Sequence, residues 1–153
     1  MAIQVGDEAP DFPFTLKDGS PVSLKSLLQK KAVVLYFYPK DDTPGCTKEA
    51  CSFRDAYESF SEAGAEVIGV SADASSKHEA FATRHRLPFT LVSDEDGSLR
   101  QRYGVPRSFL GLLPGRVTYV IDRKGIVQHV FNSQIQATRH ITEALDVIKR
   151  LRS

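Results

Sequence analysis

Ala32-Val33-Val34-Leu35-Tyr36-Phe37-Tyr38 is a continuous apolar, β-branched and aromatic run, broken off by Pro39-Lys40-Asp41-Asp42-Thr43-Pro44-Gly45. Without polar alternation, such a run reads as a strand buried on both faces, the pattern of a central parallel strand. The segment behind the loop, Pro44 to Ala63, predicts a helix: Ala50, Phe53, Ala56, Tyr57 and Phe60 recur at three and four to give one apolar face. Thr43 suits the N-cap, Pro44 the first helical position, and Gly64 the C′ stop.

Outward from this unit, Phe12-Pro13-Phe14-Thr15-Leu16 and Pro21-Val22-Ser23-Leu24 flank the turn Lys17-Asp18-Gly19-Ser20, which predicts an N-terminal hairpin. Ser23 or Ser26 caps a short helix to about Gln29. A strand is expected at Glu66–Ala72, a helix from Ser75 or Ser76 to Arg86, a short strand at Phe89–Val92 and a turn with helix at Asp94–Tyr103. Val117–Asp122 and Ile126–Phe131 form strands about Arg123-Lys124-Gly125, and Thr138–Arg152 closes the chain as a helix. Strand–helix alternation implies parallel strands joined by right-handed crossovers, and the late hairpin adds an antiparallel pair. The expected class is α/β: a thioredoxin-like fold with a mixed central sheet, helices on both faces and an N-terminal β-hairpin, residues 1–153 forming one domain.

Composition narrows the partners. The 153 residues carry 20 basic and 19 acidic side chains, a net charge of +1, which favours neither nucleic acid nor an anionic membrane as partner. No apolar run approaches the roughly 20 residues needed to span a bilayer. Met1 to Asp11 has no basic-then-apolar leader, and two cysteines are too few for a stapled scaffold, so a reducing, cytoplasmic setting is expected.

The chemistry concentrates in Pro39 to Cys51. Cys46 falls in the first turn of a helix that follows a strand's carboxyl end, where the first backbone N–H groups are unpaired. A thiolate is the nucleophilic form, and an unperturbed cysteine, with a pKa of about 8.5, is only a few per cent ionised at neutrality. A helix terminus contributes about 0.3–1 kcal/mol, at best about 2, while one pKa unit is about 1.4 kcal/mol. Activation therefore needs a nearby cation, and spacing leaves Lys40, Lys48, Arg54, Arg107 and Arg116 open.

Pro39-x-x-x-Thr43-x-x-Cys46 matches the Pro-x-x-x-Thr/Ser-x-x-Cys signature of the peroxiredoxins. The string from Tyr36 to Cys51 resembles their Q-type subfamily, also called bacterioferritin comigratory protein. The similarity continues through Gly6-Asp7-x-Ala9-Pro10-Asp11-Phe12 and Leu113-Pro114-Gly115-Arg116-Val117-Thr118-Tyr119-Val120-Ile121-Asp122. The resemblance implies a thiol peroxidase that reduces hydrogen peroxide and organic hydroperoxides. By it, Cys46 is the attacking cysteine, Thr43 donates a hydrogen bond that orients it, Pro39 shields it from water and Arg116 is the cation. It also implies that Cys51 resolves the Cys46 sulfenic acid as a disulfide, that thioredoxin, or else glutaredoxin, recycles the enzyme, and that no organic or metal cofactor is required. Subfamily members are often monomeric, so a monomer is expected. The resemblance equally suits a mature chloroplast form.

On an ideal helix, residues five apart have Cα atoms about 8.7 Å apart, whereas a disulfide tolerates at most about 7 Å. Joining Cys46 to Cys51 must therefore melt the start of the helix. A thiol–disulfide oxidoreductase on the same fold would use Cys-x-x-Cys, which is absent; a redox-sensing module is the non-enzymatic alternative. His78, His85, His129 and His140 are dispersed and show no zinc-ligand spacing. Asp94-Glu95-Asp96-Gly97 reads as a turn, not a calcium loop. Phe109, Leu110, Leu112 and Leu113 form an apolar loop, read as core packing or, by the resemblance, as a collar near the active site.

Overall fold

A computed structural model of the protein describes residues 3–105, 107–108, 113–133 and 136–152, with 107, 108, 113, 114 and 152 described by their backbone alone. Strands β1 (Pro13–Thr15) and β2 (Pro21–Ser23) pair antiparallel as the expected N-terminal hairpin. Helix α1 (Leu24–Leu28) starts at Ser23, whose hydroxyl accepts from the Ser26 amide while the Ser26 side chain returns to the Ser23 amide, a capping box.

The central sheet holds β3 (Ala32–Phe37), β4 (Ala65–Ser71), β5 (Thr90–Ser93), β8 (Val117–Ile121) and β9 (Val127–Asn132), in the order β5-β4-β3-β8-β9. Helices α2 (Pro44–Glu62), α3 (Ser75–His85), α4 (Ser98–Tyr103) and α5 (Arg139–Arg152) complete the chain. Strands β3, β4 and β5 run parallel, whereas β8 lies antiparallel to β3 and to β9. This is the mixed α/β sheet, flanked by helices, that the alternation implies. A further antiparallel pair, β6 (Arg107–Ser108) with β7 (Leu113–Pro114), was not foreseen. Phe109, Leu110 and Leu112, expected as core or collar, lie outside the described residues.

Strand β3 is buried from Val33 onward because its side chains serve two cores. Val33, Leu35 and Phe37 pack with Phe12, Phe14, α1 and Tyr103; Val34, Tyr36 and Tyr38 pack with α2, Phe81, Phe89 and α5. Phe53 of α2 stacks on Tyr36 with centroids 4.5 Å apart, worth about 0.5–1.5 kcal/mol beyond the area the rings bury. This anchors the helix across the sheet. Gly64, at φ +82°, takes the left-handed position that ends α2, and its carbonyl accepts from the Ala32 amide at the start of β3.

The position of β8 matters most for function. Its register pairs Val117 with Phe37, so Arg116, one residue before it, stands at the carboxyl end of β3 where the Pro39–Thr43 loop begins.

Candidate active site

Cys46 occupies the first turn of α2 and is only 1% exposed. Thr43 is the N-cap residue, in extended conformation, and its carbonyl accepts from the Thr47 amide at 2.8 Å. The amides before Thr47 lack carbonyl partners within the helix and so concentrate positive potential at the sulfur. The Thr43 hydroxyl makes no cap bond and donates instead to the Lys40 carbonyl at 3.0 Å. This differs from the double role of backbone acceptor and sulfur donor available to threonine: one hydroxyl proton serves one acceptor at a time. Pro39 is half-buried and opens the loop.

Of the five candidate cations, Arg116 stands beside the sulfur, with Nη2 3.3 Å from Cys46 Sγ. Lys40 and Lys48 are exposed, Arg54 is engaged with Asp55 and the His85 carbonyl, and only the backbone of Arg107 is described. Gly45 makes the approach possible: a Cβ there would meet Arg116 Nη2 at 3.0 Å, so a side chain would press on the guanidinium. Arg100 of α4 fixes both walls, donating to the carbonyls of Gly115 at 3.0 Å and Tyr38 at 3.1 Å.

Behind Arg116 lies a polar layer absent from the sequence reading. Arg116 Nη1 donates to Glu49 Oε1 at 2.6 Å, and Glu49, Arg116, Thr118 and His140 are all buried. Glu49 Oε2 accepts no hydrogen bond and lies 3.6 Å from His140 Nδ1. The other ring nitrogen of His140 lies 2.8 Å from the Ser133 carbonyl, and Thr118 Oγ1 is 2.7 Å from Nδ1. The short Arg116 contact looks like an ion pair, but burial away from water outweighs Arg116's attraction and pushes the Glu49 carboxyl up to about 8. Burial likewise drives His140 down to about 4, with Arg116 adding to the effect. A helical-stripe argument would have found both. Glu49 falls on the stripe of Cys46, Ala50 and Phe53, and His140 on that of Ile141, Ala144 and Val147.

These shifts give stability a pH dependence. Because the folded-state value of Glu49 lies above its ordinary one, its contribution is complete below about 4.5 and is lost as pH rises through about 8. His140 acts oppositely: its contribution is present above 6.5 and is lost as pH falls through about 4. Glu49→Gln, which cannot ionise, should therefore gain stability relative to the unsubstituted protein between pH 4.5 and about 8, by roughly 2–4 kcal/mol. Urea unfolding of both proteins across that range measures the gap; a constant gap would mean that Glu49 is charged throughout.

A second buried cluster braces the loop itself. Asp41 accepts from the Tyr38 hydroxyl at 2.6 Å and meets His78 Nδ1 at 2.6 Å, while His78 Nε2 faces the Val92 carbonyl at 3.0 Å. The Asp41 amide donates to Asp73 Oδ2 at 2.7 Å, and Asp73 also accepts from Ser71 and pairs with Lys77. Ligand atoms of Asp41, Asp73 and His78 lie within 4.8 Å of one another, spacing open to a metal, but these groups are one another's hydrogen-bond partners. The arrangement works as a clamp. His78 and His140 are thus buried structural participants. Asp42, at φ +63°, turns the chain after the clamp and is paired with Arg84.

Both cysteines are free, and both lie within α2. Among the described residues, no helix is long and apolar enough to cross a membrane.

Comparison with known proteins bears on this site. Residues 5–130 match the model of the AhpC/TSA family. A Sedum lineare protein named peroxiredoxin Q, chloroplastic, is 56% identical over 142 residues, covering 92% of this chain and 76% of that protein. Its namesake from Triticum aestivum is 53% identical over 149 residues, covering 97% of this chain and 68% of that protein. The solved structure of the peroxidoxin BcpB from Mycobacterium tuberculosis superposes with a TM-score of 0.88 at 39% identity, covering 99% of each chain. With a buried cysteine at a helix start, an arginine on its sulfur and likeness of this extent, the chain belongs to the AhpC/TSA family as a peroxiredoxin of the Q type, and is a peroxidase.

Proposed function

We propose that Cys46 reduces hydrogen peroxide and organic hydroperoxides, and that Cys51 resolves the product. The observation that carries this is Arg116 Nη2 at 3.3 Å from Cys46 Sγ in the first turn of α2. The thiolate attacks one peroxide oxygen as the O–O bond breaks; sulfur is oxidised to the sulfenic acid, and the departing oxygen takes a proton to leave as water or alcohol. Arg116, charged at every relevant pH and carrying several donors, contacts the sulfur and receives charge building on the departing oxygen. The helix-start amides of Gly45 and Cys46 act with it. Thr43 joins them by rotating its hydroxyl away from the Lys40 carbonyl when peroxide enters, and Pro39 screens the sulfur from water.

The Cys51 thiol then condenses with the sulfenic acid, releasing water and forming a disulfide, which an external dithiol of the thioredoxin type, or glutaredoxin, reduces. No metal or organic cofactor takes part, and the chain acts as a monomer. The names of the plant relatives support a chloroplast as its compartment over the cytoplasmic alternative.

One equivalent of hydroperoxide added to the reduced protein, followed by mass spectrometry, tests the assignment. The expected product is a Cys46–Cys51 disulfide, and in Cys51→Ser a sulfenic acid on Cys46. Because the two Cα atoms of an ideal helix lie beyond disulfide reach, the oxidised sample should also lose amide-exchange protection over residues 44–55. Oxidation at Cys51 alone, or unchanged protection, would remove the resolving step.

A further inference from the structure

We propose that in the reduced enzyme the proton given up by Cys46 resides on Glu49 Oε2, facing His140 Nδ1, so that buried Arg116 is balanced by a single negative charge, the one on sulfur. This rests on the reading of Cys46 as the ionised, attacking cysteine. Arg116 touches two acids at once, Sγ at 3.3 Å and Glu49 Oε1 at 2.6 Å. Two anions against one cation in a site closed to water would leave a net buried charge, which is costly. One proton shared between the acids removes it.

The geometry says where that proton sits. Glu49 Oε1 is occupied as an acceptor from Arg116, whereas Oε2 is buried and accepts nothing. The Ser133 carbonyl only accepts, so His140 carries its hydrogen on Nε2, and its Nδ1 lone pair takes the Thr118 hydroxyl at 2.7 Å, which leaves Oε2, 3.6 Å from Nδ1, facing no donor. An ionised Oε2 would be a buried anionic oxygen with no donor to hold it. A protonated Oε2 carries no charge that needs one. Charging His140 instead would place a second buried cation near Arg116, against the low value burial gives the ring.

The other groups facing Glu49 leave this balance unchanged. Tyr36 of β3 is a neutral phenol held well above its ordinary value by burial and by Glu49 itself. The titratable residue of β4, Glu66, is engaged with Tyr57 and Lys31.

The balance extends through the reaction. Before attack the site holds Cys46 thiolate, Arg116 cation and Glu49 acid. Once sulfur is a neutral sulfenic acid, Arg116 needs a new counter-charge, and Glu49 ionises to supply it. The proton released equals the one taken up by the departing oxygen, so the buried charge is constant from start to finish. Glu49 is thus a positioning residue that acts through Arg116.

Infrared difference spectroscopy of the protein labelled with 13C-carboxyl glutamate, reduced and then treated with one equivalent of hydrogen peroxide near neutral pH, reads the proton directly. A protonated-carboxyl band, shifted by the label, should be present in the reduced state and lost on oxidation. It should be absent from both states of Glu49→Gln and displaced in frequency in His140→Asn. Mass spectrometry of the same sample separates the two readings. Oxidised Cys46 with no protonated-carboxyl band in the reduced state, or with a band that oxidation leaves unchanged, overturns the Glu49 assignment alone; unoxidised Cys46 overturns the peroxidase reading and this inference with it.

Discussion

Cys46→Ser is expected to lower peroxide reduction by at least about a thousandfold, to the level of buffer with reductant alone. Oxygen replaces sulfur at nearly the same position, so the packing of Cys46 beneath Arg116 survives while the nucleophile does not. Among the described residues a serine hydroxyl meets no free base: Arg116 holds Glu49 Oε1, Glu49 Oε2 faces His140, and the Thr43 hydroxyl donates to Lys40. The measurement is stopped-flow consumption of hydrogen peroxide by the reduced variant, with circular dichroism to show that the fold is kept. Activity within tenfold of the unsubstituted protein would place the chemistry elsewhere, at Cys51 first.

Arg116→Ala ranks second, with an expected loss of about 10²–10³-fold in the second-order rate with peroxide, the usual effect of removing one donor to charge that develops in a transition state. Two functions vanish together: the contact with Cys46 Sγ and the counter-charge for the site. Arg116→Lys separates them, since an ammonium restores charge but lacks a fork able to reach Sγ and Glu49 Oε1 at once. Most of the loss should persist in the lysine variant. If lysine restored full activity, charge alone would suffice and the two-pronged contact would be incidental. Gly45→Ala offers a milder version, because its Cβ would press on Nη2 without removing any group.

The parts of this molecule that were legible in advance are those fixed by local pattern. Ala32–Tyr38 reads as a doubly buried strand, and the structure places Ala32–Phe37 at the centre of the sheet. Thr43, Pro44 and Gly64 bound α2 because a cap, a fixed φ and a left-handed stop are backbone requirements visible in single residues. Arg116 was different. Five cations satisfied the chemistry, and the insertion of β8 beside β3, a long-range pairing with no local signature, is what brings Arg116 to the sulfur.

Glu49 escaped notice for the opposite reason: its position on the helix was readable, but a carboxylate is assigned to solvent by default. Its burial makes sense only once Arg116 and His140 converge on it from β8 and α5. The Asp41–His78–Asp73 clamp was hidden likewise, its members lying on three separate segments.

The pairing of β8 with β3 has one more consequence. Sulfur and guanidinium are 70 residues apart in sequence and meet only through a contact between strands that form at opposite ends of synthesis. A nascent or truncated chain that already exposes Cys46 has neither the cation nor the closed pocket. On the proposed reading of Cys46 as the attacking cysteine, its partner arrives only when β8 docks, so maturation of the chain and onset of its reactivity are expected to be a single event.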